Sequence, residues 1–239
     1  MTNVQPYDAM AVRGIHESVA RIVKTEIPPS RDIQVLDVGA GRGGLSRRLL
    51  NAGYSVQACD LFPDNFDVPS VECRRVDATG HLPYSDGSVD LVLAVELIEH
   101  LEDHCGLFNE VSRILKPGGT LAFSTPNIIS LKSRLAFLFT GYFYSFPTLD
   151  PNQLDPVLQH ITPFTLDRYR WRLAQSELDI THVRTDKFQR TSMLLGFLTP
   201  FIWLSARMKY GRSETAAHQN SKTALYGRTL IVLAKKRRH

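Results

Sequence analysis

Short runs of apolar, β-branched residues alternate with amphipathic stretches through the first half of this chain. Residues 7–26 carry Val12, Ile15, Val19, Ile22 and Val23 at helical spacing and predict a helix, which Pro28-Pro29 ends. Residues 33–38 predict a first strand, and residues 45–52 a helix closed by Gly53. Strands follow at 55–59, 71–76 and 89–94, the first two finishing at Asp60 and Asp77. A helix through Val111 and Leu115 and a Lys116-Pro117-Gly118-Gly119 turn lead into a fifth strand at 120–124. Alternating strands and helices specify βαβ units, hence an α/β fold on a mostly parallel sheet. The continuous apolar runs suit strands covered on both faces.

Beyond Pro126 the pattern loosens. Residues 128–146 are apolar and aromatic, with Lys132 and Arg134 among them, and residues 148–163 are rich in Pro and Asp. A helix is predicted at 166–176, a strand near 180–185 and a last strand at 225–234. Residues 193–206 are apolar but interrupted by Pro200, and residues 211–221 read as a mobile polar loop. The length suits one α/β domain over 1–239: a core at about 30–125, capping elements at about 1–29 and 126–222, then the final strand.

Gly39-Ala40-Gly41-Arg42-Gly43-Gly44 closes the first strand and holds the most specific chemistry. Glycines let backbone approach a ligand closely, and Gly39, Gly41 and Gly44 also satisfy the G-x-G-x-x-G spacing of dinucleotide sites. Asp37, two residues before the first glycine, changes the choice. A carboxylate pointing into the crevice there would repel a pyrophosphate and attract a cationic ligand. Asp60, ending the second strand, is placed to accept hydrogen bonds from a ribose diol.

The segment Val35-Leu36-Asp37-Val38-Gly39-Ala40-Gly41-Arg42-Gly43 resembles the first motif of class I S-adenosylmethionine (SAM)-dependent methyltransferases. Asp60, followed by Leu61, resembles their ribose acid, and Asp77-Ala78 the pair beside adenine. Leu82-Pro83-Tyr84 through Asp90-Leu91-Val92 resembles their approach to strand four, and Leu115-Lys116-Pro117-Gly118-Gly119 the turn before strand five. Order and spacing are kept over roughly residues 30–125. The resemblance implies a Rossmann-like seven-stranded, mostly parallel sheet with helices on both faces and an antiparallel last strand. It implies SAM as cofactor, whose ammonium and sulfonium suit Asp37. The implied cofactor-binding residues are Asp37, Gly39, Ala40, Gly41, Gly43, Asp60, Leu61, Asp77, Ala78 and Glu96.

Glu96-Leu97-Ile98-Glu99-His100 is a second cluster. If Glu96 begins a helical turn, Glu96, Glu99 and His100 share one face. Two carboxylates and an imidazole there suit a divalent cation, Mg²⁺ or Zn²⁺. The stretch resembles the E-x-x-E-H motif of ubiquinone-pathway O-methyltransferases and of small-RNA 2′-O-methyltransferases, where it is associated with a metal and a distal histidine. That resemblance makes His160 the candidate fourth ligand. Ser124-Thr125-Pro126-Asn127 extends the ubiquinone-pathway likeness, while residues 127–146 also resemble surface-polysaccharide methyltransferases. The same residues fit a metal-free site with His160 as general base beside His100 and Glu99, and they fit a structural role. His16, His81, His104, His182, His218 and His239 read as surface or structural residues.

Composition narrows the setting. The net charge of +4 equals the contribution of Lys235, Lys236, Arg237 and Arg238, which read as a frayed, solvated end. A neutral body argues against a nucleic-acid partner. Cys59, Cys73 and Cys105 are too sparse for a disulfide framework or a structural zinc site. With no secretory signal in the N-terminal pattern, the expected location is cytoplasmic. Segments 131–146 and 193–206, the second flanked by Arg190, Arg207, Lys209 and Arg212, predict either core or a peripheral anchor on the inner face of a membrane. The leading expectation is O-methylation of a small aromatic, lipid-linked or saccharide acceptor by in-line transfer. An RNA 2′-O-methyltransferase and a non-catalytic SAM-binding subunit are the alternatives; Asp37 disfavours an NAD-dependent oxidoreductase. No oligomeric state is specified.

Overall fold

The computed structural model describes residues 12–238. Helix α1 (Ile15–Glu26) occupies most of the predicted amphipathic stretch, whose residues 7–11 lie outside the described residues. Five parallel strands follow: β1 (Gln34–Val38), β2 (Ser55–Asp60), β3 (Cys73–Arg75), β4 (Val89–Ala94) and β5 (Leu115–Pro126). Strands β6 (Leu178–Thr185) and β7 (Thr229–Lys236) complete the sheet, with β7 antiparallel to both β5 and β6. The order is β3-β2-β1-β4-β5-β7-β6. This is the Rossmann-like, mostly parallel seven-stranded sheet that the motifs imply.

Strand pleating divides the core between two faces. Val35 of β1, Leu91 and Leu93 of β4 and Ile231 and Leu233 of β7 bury against α1 and α2 (Gly44–Ala52). Leu36 and Val38, Val92 and Ala94, and Val232 and Ala234 bury on the opposite face, with α3 (His104–Ile114) and α5 (Leu166–Gln175). Side-chain caps begin these helices where the sequence supplies them. Asp103 accepts from the Cys105 N–H for α3, and Thr165 from the Arg168 N–H for α5. Ser130 accepts from the Ser133 N–H for α4 (Leu131–Thr140).

Several boundaries differ from the sequence reading. β3 is shorter than predicted. The Lys116–Gly119 turn lies within β5, whose register against β4 shifts between Val89 and Leu91. Pro200 starts a helix rather than breaking one. After α6 (Arg190–Leu194) and a 3-10 turn, it sits in the first turn of α7 (Thr199–Tyr210), where its missing N–H has no intrahelical partner to lose. The predicted polar loop contains α8 (Glu214–Gln219), capped by Ser213. Residues 225 and 226 belong to α9 (Lys222–Tyr226), so the last strand begins later and runs further than expected. The basic end is docked rather than frayed: Lys236 Nζ donates to the Leu115 carbonyl, and Arg237 pairs with Asp179. Buried Asn127 joins the end of β5 to the turn before β7, donating to the carbonyls of Ala224 and Gly227 at 2.8 Å each.

Candidate active site

The strand order reverses between β1 and β4, and open α/β sheets form their ligand crevice at such a point. A cleft of about 400 Å³ lies there, lined by Gly39, Ala40, Gly41, Asp60, Leu61, Asp77, Ala78 and Glu96. Gly39 (φ 70°) and Gly41 (φ 54°) take the left-handed conformation that side chains disfavour. That conformation turns the N–H groups of Gly39 and Ala40 onto the Cys59 carbonyl at 2.9 and 3.2 Å. Asp60 fixes both walls, accepting from the Gly41 and Phe62 N–H groups at 2.8 Å each. Asp77 accepts from the Thr79 N–H and hydroxyl, and these bonds hold its carboxyl below the usual range.

Two of the predicted cofactor residues stand behind this cleft rather than in its wall. Asp37 is 2 % exposed and accepts a 2.6 Å hydrogen bond from Ser46 Oγ in α2. Alternation along β1 turns it to the face covered by α2, so the expectation that it points into the crevice is corrected. Burial pushes its pKa up to about 6. Gly43 (φ 82°) opens α2, and a Cβ there would stand 2.4 Å from Val68 Cγ2. Its role is close packing. The cleft also gathers His16, read from sequence as surface or structural, and Phe62, Thr79, Leu97 and Leu101. Hydrophobic spacing carries no mark of these positions.

The second cluster departs from a single helical face. Glu96 adopts φ 53°, its N–H donates to Ser124 Oγ at 2.8 Å, and the same hydroxyl donates to Glu96 Oε1 at 3.0 Å. A 3-10 turn, Ile98–His100, follows. Consequently Glu96 leaves the predicted metal set. Glu99, His100 and His160 remain, with one candidate ligand atom each, all within 4.8 Å of one another.

Backbone hydrogen bonds bring His160 across from a distant segment. The Ile161 and Thr162 N–H groups donate to the Glu99 carbonyl at 2.9 and 3.3 Å, and Thr162 Oγ1 donates to the Leu101 carbonyl at 2.6 Å. His100 Nδ1 meets the Gln159 carbonyl at 2.8 Å, and His160 Nδ1 meets the Ser145 carbonyl at 2.7 Å. A carbonyl only accepts, so Nδ1 carries a proton in both rings, and in an uncharged ring the lone pair lies on Nε2. The rings meet edge-on with centroids 5.0 Å apart. Burial lowers the His160 pKa.

Glu99 is fully buried, and neither carboxylate oxygen has a hydrogen-bond partner among the described residues. Burial, then the nearby Glu96 charge, raises its pKa well above the usual range. An orphaned buried carboxylate beside two imidazoles oriented by carbonyls is a donor set that fits a divalent cation.

A second cavity of about 640 Å³ opens beyond this cluster, lined by Glu96, Pro126, Lys132, Tyr144, Ser145, His160, Lys187, Arg190 and Arg228, among others. Glu96 therefore faces both cavities. His100 lines the first and His160 the second, so Glu96, His100 and His160 form part of the partition.

Residues 36–123 match a family model described as a methyltransferase domain. A ubiquinone biosynthesis O-methyltransferase of Colwellia psychrerythraea is 32% identical over 113 residues, which cover 44% of this chain and 46% of that one. A demethylmenaquinone methyltransferase of Tropheryma whipplei is 33% identical over 102 residues, 39% and 43% of the two chains. In each case the match spans less than half of the curated relative's length. Among solved structures, a SAM-dependent methyltransferase from Archaeoglobus fulgidus superposes with TM-score 0.61 at 20% identity, covering 94% of this chain and 96% of that one. A Haemonchus contortus phosphoethanolamine N-methyltransferase bound to SAM gives 0.60 at 18% identity, covering 98% and 56%. At such identities the likeness is one of fold.

Proposed function

We propose that this chain, whose residues 36–123 are similar to a methyltransferase domain, carries the methyl group of SAM to a hydroxyl of a small aromatic, saccharide or lipid-linked acceptor. The observation that carries this reading is the pair of cavities meeting at Glu96, His100 and His160. SAM occupies the cleft at the β1/β4 switch point. Asp60 takes the ribose diol, Asp77 and Ala78 lie beside the adenine, and the Gly39–Gly41 backbone faces the methionyl part. Asp37 acts from behind the turn through its charge rather than by contact. The acceptor enters from the second cavity.

In the transfer, the carbon–sulfur bond breaks as the oxygen–carbon bond forms, and the sulfonium becomes a neutral thioether. His160 Nε2 accepts the hydroxyl proton, and its lowered pKa keeps the ring neutral and ready to do so. The partition holds oxygen, methyl and sulfur in line and keeps water from the path. In the alternative, with His160 Nε2 given to a metal instead of the proton, Glu99, His100 and His160 would hold Mg²⁺ or Zn²⁺, which when bound would supply Lewis-acid stabilisation of the acceptor oxygen in place of the base.

The lipid-linked reading has support at the surface. No helix among the described residues is long and apolar enough to cross a membrane. Yet Leu138 and Phe139 on α4, Leu194 on α6, and Phe201 and Met208 on α7 are exposed, and α7 carries exposed Arg207 and Lys209 in its last turn. An apolar face with basic edges suits peripheral contact with an anionic membrane.

Labelled SAM supplied with catechols, lipid-linked sugars and short RNA tests the class. Label in a hydroxyl of the first two is expected. Label confined to RNA, or binding of S-adenosylhomocysteine with transfer to none of the three, would overturn the acceptor assignment. Adding Mg²⁺ or Zn²⁺ should raise the melting temperature by a few degrees, and Glu99→Gln should abolish the rise. An equal rise in the variant removes the trio as a metal site. Flotation with anionic vesicles is expected to retain the protein and to lose the Leu194→Ser/Phe201→Ser variant.

A further inference from the structure

The second cavity carries more positive charge than a neutral acceptor requires. Lys132, Lys187, Arg190 and Arg228 line it, against the single carboxylate of Glu96. Arg228 is committed elsewhere, since it pairs with Asp186 outside the lining. Lys132 Nζ stands 3.2 Å from the Tyr144 ring centroid, a face contact that leaves its charge uncompensated. Among the described residues, no carboxylate pairs with Lys132, Lys187 or Arg190, and both Lys187 and Arg190 are exposed. Three unneutralised cations facing one carboxylate leave an excess of about two charges, close to that of a phosphate monoester near neutral pH.

The elements that supply these cations also supply the apolar surface. Lys132 lies in the first turn of α4, and the same helix exposes Leu138 and Phe139 further along. Arg190 begins α6, which exposes Leu194. The two helices touch at their starts, where the Lys132 N–H donates to Ser192 Oγ at 3.2 Å. At 1.5 Å per residue, the cationic end of α4 and its apolar end lie about 10 Å apart. That is the layout of a charged head beside an aliphatic tail.

We infer that the acceptor is an amphiphile bearing a phosphate group, seated on Lys187, Arg190 and Lys132, with its tail along the exposed faces of α4 and α6. This rests on the methyltransferase reading, which it sharpens by naming the acceptor class. The phosphate is a handle and takes no part in bond making. It holds the molecule so that a hydroxyl on the head reaches His160 at the inner end of the same cavity.

Titration calorimetry with farnesyl monophosphate, farnesol and inorganic phosphate tests the inference, each probe with and without saturating S-adenosylhomocysteine. Farnesyl monophosphate should bind at least about tenfold more tightly than either of the others. The Lys187→Gln/Arg190→Gln variant should lose that margin while keeping its affinity for S-adenosylhomocysteine, and Lys187→Arg should retain it. Equal binding of farnesol, or a margin unchanged in the double variant, overturns the phosphate seat. Inorganic phosphate binding as tightly as the farnesyl ester overturns the amphiphile. Failure of S-adenosylhomocysteine to bind counts against the methyltransferase reading alone, because the probes are also titrated without it.

Discussion

The cleft at the β1/β4 switch point and the second cavity share Glu96 but are built in opposite ways. The cleft comes from the carboxyl ends of β1, β2 and β4 and the segment after β3, each giving a short contiguous piece such as Gly39-Ala40-Gly41 or Asp77-Ala78. Its polar groups are satisfied locally, with Asp60 bonded across one turn and Asp77 within another. The second cavity draws on segments near 126, 132, 144, 160, 187 and 228, and leaves Lys132, Lys187 and Arg190 without a carboxylate partner among the described residues. A satisfied site is already assembled before any ligand arrives. An unsatisfied one gains its missing partners from whatever molecule this protein selects.

If that contrast holds, damage on the two sides should separate by kinetic parameter. The largest effect is expected from His160→Ala, which removes the proposed base. Turnover should fall by about 10²- to 10⁴-fold while the dissociation constant for S-adenosylhomocysteine stays within a factor of two. A matching loss of cofactor affinity would show that the partition is one site rather than two. Next in size is Asp60→Ala, which removes the acceptor of the Gly41 and Phe62 N–H groups and the proposed partner of the ribose. Cofactor affinity should drop by about 10- to 100-fold, with much less change in the KM for acceptor. Comparable loss in both would erase the distinction.

The smallest effect sharpens the cofactor side. Asp37 holds its proton up to about 6 in the folded protein, against about 4 in the unfolded chain. A raised carboxyl pKa favours the folded state at low pH. This contribution, about 3 kcal/mol, is lost as pH climbs from near 4 to near 6 and is constant above. The cationic cofactor prefers the ionised carboxylate, so SAM affinity should rise through the same upper limit. Asp37→Asn should flatten both curves. A pH dependence that survives the substitution would assign it to another group.

The β1–β2 region was readable because its evidence is contiguous. Positive-φ glycines, acids at strand ends and alternating apolar residues are local consequences of strand and turn geometry, and they occur in register. Even there, one inference failed. Asp37 was identified, but its direction depends on which face α2 covers, and Ser46 supplies its partner from that helix. Pro200 and the 211–221 segment were misjudged for a related reason. A proline ends one helix or opens the next according to where the chain turns, and Ser213 begins a helix only because a stretch able to form one follows it.

His160 shows the limit most clearly. Its place in the cluster was suggested by likeness to a motif and by nothing in its own neighbourhood. The bonds that bring it there run from Ile161 and Thr162 to the Glu99 carbonyl, and from both imidazoles to carbonyls of Gln159 and Ser145. Every residue has a backbone carbonyl, so such a latch imposes no side-chain pattern. The linear order of residues determined the sheet, its two buried faces and the glycine turn, because these follow from periodicity and local conformation. Only the three-dimensional packing decided which charges face each other across the second cavity, because Coulomb interactions depend on distance in space and are indifferent to separation along the chain.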